Sequence, residues 1–145
     1  MFQHYQLIFI PLVSLIITQA IKVIIDVIHH RPSSMNSYGG MPSTHSALFA
    51  SLVMMAWYTE GLASYAFAIS LFLYLTIIRD AAGIRQHLGR HGQMLKDLLV
   101  EHAKDHHHNI AHDKIVTRLG HTPWQIVVGS ICGVVFTSIQ YWFLH

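Results

Sequence analysis

Apolar residues gather in four runs separated by polar segments: Leu7 to Ile28, roughly Ser46 to Tyr58, Leu62 to Ile78, and Trp124 to Leu144. The first, third and last approach the ~20 residues that a helix needs to cross a bilayer core, and the second does so only if counted from Pro42. Backbone in lipid has no water to bond, so each run is predicted to be a helix that satisfies its own N–H and C=O groups. His29-His30-Arg31-Pro32 ends the first helix, because the residue before a proline is pushed out of helical geometry. Residues 33–40 then read as a polar linker. Glu60-Gly61 makes a tight turn that returns the third helix alongside the second. From Gln86 to Ala103, Leu88, Leu95, Leu98 and Leu99 mix with Arg90, Lys96, Asp97 and Glu101, a pattern suited to an amphipathic helix on a membrane surface. The expected architecture is all-α, a single membrane-embedded domain over 1–145. It has about four transmembrane helices plus an interfacial amphipathic helix.

Composition points the same way, since 52% hydrophobic residues with 11% charged is too apolar for a soluble domain of 145 residues. The first run lacks a basic start and a small-residue cleavage site and carries Gln19 and Lys22 in its second half, so it reads as a retained helix rather than a signal peptide. A single cysteine, Cys132, allows no internal disulfide. All nine lysines and arginines, from Lys22 to Arg118, fall near or between the same ends of the four helices. The positive-inside rule makes that side cytoplasmic, with both termini outside.

The chemistry gathers on the same side. Gly39-Gly40-Met41-Pro42-Ser43-Thr44-His45-Ser46-Ala47 delivers two hydroxyls and a histidine to the start of an apolar helix. Pro42 suits the first helical turn, and the N–H groups of that turn, with the positive end of the helix dipole behind them, make an anion site. The same stretch also reads as a simple turn with Ser43 or Thr44 as N-cap. Lys22 is either a cation snorkelling to the headgroups or a phosphate ligand at the mouth of the bundle. Arg79-Asp80-Ala81-Ala82-Gly83-Ile84-Arg85 is either an interfacial anchor or a phosphate clamp, with Arg85 supplying a planar fork and Asp80 holding an arginine or histidine in place. Leu119-Gly120-His121-Thr122-Pro123-Trp124-Gln125 repeats the opening logic, a histidine set just before a proline that starts a helix. His102, His106, His107, His108 and His112 raise a metal site, but the run reads more easily as a solvated or titratable loop. No metal site is assigned.

Two histidines at helix starts, a lysine near a helix end and an arginine after another have the chemistry of phosphate transfer. One imidazole can attack phosphorus to give a phosphohistidine, and the other can protonate the leaving oxygen. The cations and backbone N–H groups stabilise the equatorial oxygens.

Gln19 to Lys22, the 39–47 stretch, Asp-Ala-Ala-Gly-Ile-Arg at 80–85 and Leu-Gly-His-Thr-Pro at 119–123 together resemble the short divergent branch of the type 2 phosphatidic acid phosphatase superfamily, related to vanadium haloperoxidases. The resemblance implies a helical membrane protein whose parent superfamily removes phosphate from lipids or lipid pyrophosphates through a histidine nucleophile. It makes His121 the nucleophile and His45 the general acid, with Lys22 and Arg85 as phosphate ligands and Ser43 and Thr44 lending hydroxyl or backbone donors. No cofactor is implied. The chain departs from the parent pattern in three places. Arg31 lies nine residues after Lys22 instead of seven, Arg85 is separated from His121 by a long insertion, and Gln125 stands where an acid is expected four residues after the nucleophile. Gln125 can orient an imidazole but cannot stabilise an imidazolium as a carboxylate does, a task Asp80 can take over if the fold brings it near.

Three functions therefore compete: a membrane phosphatase or phosphotransferase acting on a phosphorylated lipid, a protein that binds or transports an anionic lipid without hydrolysis, and a structural or metal-handling membrane protein using the His-rich loop. The expected partners are membrane lipid and a phosphorylated lipid substrate, not nucleic acid. Small-residue helix faces also allow pairing with a second copy.

Overall fold

The computed structural model describes residues 2–29, 40–106 and 122–144. Among these the chain forms five helices: α1 (Phe2–Ile28), α2 (Thr44–Glu60), α3 (Tyr65–Ala82), α4 (Ile84–His106) and α5 (Pro123–Leu144). The protein is an all-α membrane bundle. Three stretches are long and apolar enough to cross a bilayer: Tyr5–Ile28, one that starts at Tyr65 and includes α3, and Pro123–Leu144. The fourth expected span is shorter. Ser43 takes the N-cap position, its Oγ accepting from the Ser46 N–H at 3.4 Å, so α2 starts at Thr44 and has only 17 residues. Pro42 consequently lies before the helix and not in its first turn. At 1.5 Å per residue α2 is about 26 Å long, and it packs against α1, α3 and α5 at the centre of the bundle.

α2 and α5 run parallel and almost touch backbone to backbone. A Cβ on Gly129 would overlap the carbonyl oxygen of Ser43, and one on Gly133 would overlap that of Ala47. A turn further along, the Ser51 and Thr137 hydroxyls bond each other, and Tyr58 meets Ser138 at 3.0 Å and stacks on Tyr141 with ring centroids 4.6 Å apart. Small residues allow this approach, and in lipid, where no hydrophobic force drives helices together, close packing and hydroxyl bonds hold them.

α1 is built inside out. Gln6, Ile10, Ser14, Thr18, Lys22 and Asp26 are all buried. Their four-residue spacing places them on one slowly winding stripe, since four residues advance about 400°. Ile8, Phe9, Ile16, Ile24 and Val27 face outward. Gln140 near the C-terminal end of α5 donates to the Ser14 Oγ at 3.0 Å, while Lys22 lies against Gly40 just before α2, so α1 runs antiparallel to α2 and α5. Ser64 caps α3, accepting from the Phe67 N–H at 3.1 Å after the turn at Gly61, whose φ of 83° suits a glycine. Tyr74 then donates to Ser130 of α5 at 2.8 Å. The C-terminal ends of α1 and α3 thus share one end of the bundle with the N-terminal starts of α2 and α5, and both chain ends point the other way. The predicted amphipathic segment falls within α4, which follows α3 after Gly83 and among the described residues packs only against α3.

Candidate functional site

The two motif-bearing helix starts are joined directly. The backbone N–H of Ser43 donates to the carbonyl oxygen of Gln125 at 3.1 Å, and the contact of Gly129 with the Ser43 carbonyl locks the same level of the two helices. Because α2 and α5 are parallel, their positive dipole ends lie side by side, each equivalent to roughly half a charge. Two such ends held together favour an anion placed between or above them.

Lys22 and Asp26, 6% and 7% exposed, lie at the same end of the bundle on α1, which packs against both α2 and α5. Gly40 covers them with φ at 100°, and a Cβ there would stand 2.9 Å from Lys22 Cε and 3.8 Å from each Asp26 carboxylate oxygen. The turn before α2 therefore requires glycine twice over, for its backbone angle and for its distance from Lys22. The Lys22 side chain packs against the Gly40 backbone at the end of the bundle.

Ser43 is fully buried, and its Oγ also accepts from the Ser46 hydroxyl at 2.9 Å. Thr44 is buried, while His45 is exposed in the first turn of α2. Gln125 closes a reciprocal cap: its Oε1 accepts from the Thr122 N–H at 3.0 Å, and its own N–H donates to the Thr122 hydroxyl at 3.4 Å. This is the capping box of a helix start, and the Thr-x-x-Gln spacing at 122–125 is its sequence signal. Asp80 lies half-buried in the last turn of α3, at this end of the bundle. Arg85 belongs to the first turn of α4, and its side chain lies outside the described residues, as do His121 and Arg31. Of the histidine run, His102 and His106 fall in α4, and His107, His108 and His112 lie outside the described residues. No group of three or more His, Cys, Asp or Glu side chains is placed to hold a metal ion among the described residues.

Asp26 is the residue that sequence reasoning missed. The signal was present: Ser14, Thr18, Lys22 and Asp26 repeat every four residues inside an otherwise apolar run, and ionisable residues within a membrane helix face the bundle interior and mark function.

Comparison with known proteins identifies the family of the chain. The sequence profile of a family described as "Divergent PAP2 family" matches residues 3–136. An uncharacterized membrane protein of Bacillus subtilis (strain 168), YuiD, is 31% identical over 144 residues, covering 91% of each chain. No solved structure matches.

Proposed function

Because the chain belongs to the divergent PAP2 family, we propose that it is a membrane phosphatase or phosphotransferase acting on a phosphate monoester or pyrophosphate of a lipid. The observation that carries this reading is the Ser43–Gln125 bond, which sets the starts of α2 and α5 side by side at the end of the bundle where Gly40 covers the buried Lys22. Two helix dipoles and a lysine at one end of the bundle make an electrostatic arrangement suited to a phosphoryl group.

In the proposed reaction an imidazole nitrogen of His121 attacks phosphorus and the bond from phosphorus to the lipid oxygen breaks. His45 gives its proton to the leaving oxygen. Water then attacks the phosphohistidine, the P–N bond breaks, and His45 takes back a proton. Lys22, Arg85 and the first-turn N–H groups of α2 hold the equatorial oxygens, with Ser43 and Thr44 shaping that turn and Asp80 available to orient a histidine or arginine. The positive-inside pattern supports a cytoplasmic position for this end.

Phosphate release by detergent-purified protein from phosphatidic acid, phosphatidylglycerol phosphate and isoprenyl phosphates or pyrophosphates tests the reading, with His121→Ala and His45→Ala run in parallel. Release abolished by both substitutions supports it; no release from any of these lipids sinks it. One observation favours a second reading, binding of an anionic lipid without hydrolysis. Gln125 spends its Oε1 on the Thr122 cap, and an amide supplies no charge to an imidazolium. Lipid binding that depends on Lys22 but occurs without release would select it.

A further inference from the structure

At the end of the bundle opposite Lys22, the start of α1 and the end of α5 border a cavity of about 300 Å³ lined by Tyr5, Gln6, Phe9, Ile10 and Leu144. Gln6 is 7% exposed, and its Oε1 is buried with no hydrogen-bond partner among the described residues. A buried acceptor left in this way costs the fold the water it gave up. Phe9, Ile10 and Leu144 have no side-chain donor to offer it, which leaves the donor to be supplied from within the cavity.

The walls narrow what can supply it. Ordered water needs several polar partners to stay in place, and here a single amide stands among apolar groups. A phosphate-bearing headgroup needs cations, and all nine lysines and arginines fall toward the other end of the helices. A hydrocarbon chain, by contrast, suits Phe9, Ile10 and Leu144, and Phe9 and Leu144 are exposed, so the cavity borders lipid. Tyr5, also exposed, is of the residue type that gathers at headgroup level. An uncharged hydroxyl attached to a hydrocarbon meets every one of these conditions.

We propose that this cavity binds a lipid alcohol, whose O–H donates to Gln6 Oε1 while its chain lies against Phe9, Ile10 and Leu144. The last torsion of a glutamine side chain is soft, so the amide can turn its oxygen toward an entering hydroxyl. A diacylglycerol and a long-chain isoprenoid alcohol share this chemistry. The site is separate from the anion site and stands whether or not that site turns over phosphate.

The test uses the full chain in nanodiscs of phosphatidylcholine, whose headgroup has no hydrogen-bond donor. The protein is photolabelled with a diazirine-bearing hexadecanol and with the methyl ether of the same probe, which has lost its donor. Labelling by the alcohol should map to residues 5–10 and the end of α5, and should half-saturate at a concentration about three- to tenfold lower than the ether, as one net hydrogen bond allows. Gln6→Leu keeps the bulk and removes the orphaned acceptor, so it should fold as well as the wild type and label alike with both probes. Leu144→Trp, at an exposed position in the last turn of α5, narrows the cavity and should weaken labelling by either probe about fivefold or more. Competition by unlabelled dioctanoylglycerol or by farnesol supports the proposal and shows which alcohol is preferred; competition by neither overturns it. Equal half-saturation by alcohol and ether in the wild type also overturns it, and that comparison needs no variant. So does labelling spread over lipid-facing positions such as Ile16, Ile24 and Phe72, or stronger competition by phosphatidylglycerol than by either alcohol.

Discussion

Ser43 donates its backbone N–H to the carbonyl oxygen of Gln125 at 3.1 Å, so the loop that enters α2 and the first turn of α5 are one connected piece of backbone. Gly129 makes that possible, because any side chain there would strike the Ser43 carbonyl. Gly129→Ala is therefore expected to destabilise the protein by about 1–3 kcal/mol, as overpacking of a close interface does, and to lower phosphate release at least tenfold. Gly133→Ala meets the Ala47 carbonyl one turn deeper and should cost similar stability with a smaller loss of activity. Thermal unfolding in detergent beside the release assay separates the two; equal activity losses would break the link between the Ser43–Gln125 junction and function.

Gln125→Glu restores a carboxylate at the position four residues after His121 without losing the capping box, since glutamate serves that box as well as glutamine. Stability should stay within about 0.5 kcal/mol, and a negative charge in the first turn of a helix is itself favourable. If Gln125 limits the chemistry, turnover should rise about tenfold or more. An unchanged turnover number would show that the missing acid is supplied elsewhere, with Asp80 the next residue to replace.

Ser43→Ala removes the N-cap oxygen that accepts from Ser46. The expected loss is about 1 kcal/mol of stability, read as a lowered melting temperature. Phosphate affinity should fall much less than in Lys22→Gln if Ser43 acts through the helix start; a fall as large as that of Lys22→Gln would make its hydroxyl a direct ligand.

Gly40→Ala places a methyl group 2.9 Å from Lys22 Cε on a backbone whose φ is 100°. Strain of this kind costs on the order of 1–3 kcal/mol, and the displaced Lys22 should weaken methyl phosphate binding. Gly61→Ala, at φ 83° but with open space around it, should be destabilising without any change in binding. A Gly40→Ala protein that binds normally would separate the covering turn from the lysine.

Orientation is open to direct labelling. Lys104→Cys in a Cys132→Ser background should resist an impermeant thiol reagent applied to intact cells and react after the membrane is permeabilised. Labelling from outside would overturn the proposed cytoplasmic position of the site.

Local pattern carried most of the fold and only part of the site. The starts and ends of α1, α3 and α5 follow from apolar runs, the Glu60-Gly61 turn and Pro123, all readable within a few residues. The start of α2 differed because a serine cap and a proline both fit Pro42-Ser43, and the cap won by bonding Ser46. The small residues of α2 and the Gly129/Gly133 pair were each legible as packing faces, but nothing local says that they pack on each other. Gln125 looked like a weakened catalytic position, and its second identity as a capping residue needed only the Thr122 three places earlier. Asp26 escaped notice because a lone carboxylate near a helix end looks interfacial until its neighbours at Lys22, Thr18 and Ser14 are counted by fours.

The inside-out build of α1 also reverses which changes the protein can absorb. Its outward positions, Ile16, Ile24 and Val27 among them, meet fluid acyl chains that accept any aliphatic shape. Its inward positions include Ser14, which accepts from Gln140, Thr18, which donates to the Ser14 carbonyl, and the two opposite charges Lys22 and Asp26 under Gly40. A library randomised over the greasy residues should yield mostly functional proteins, and one randomised over Ser14, Thr18, Lys22 and Asp26 almost none. In that sense the vocabulary that specifies this bundle is its polar minority.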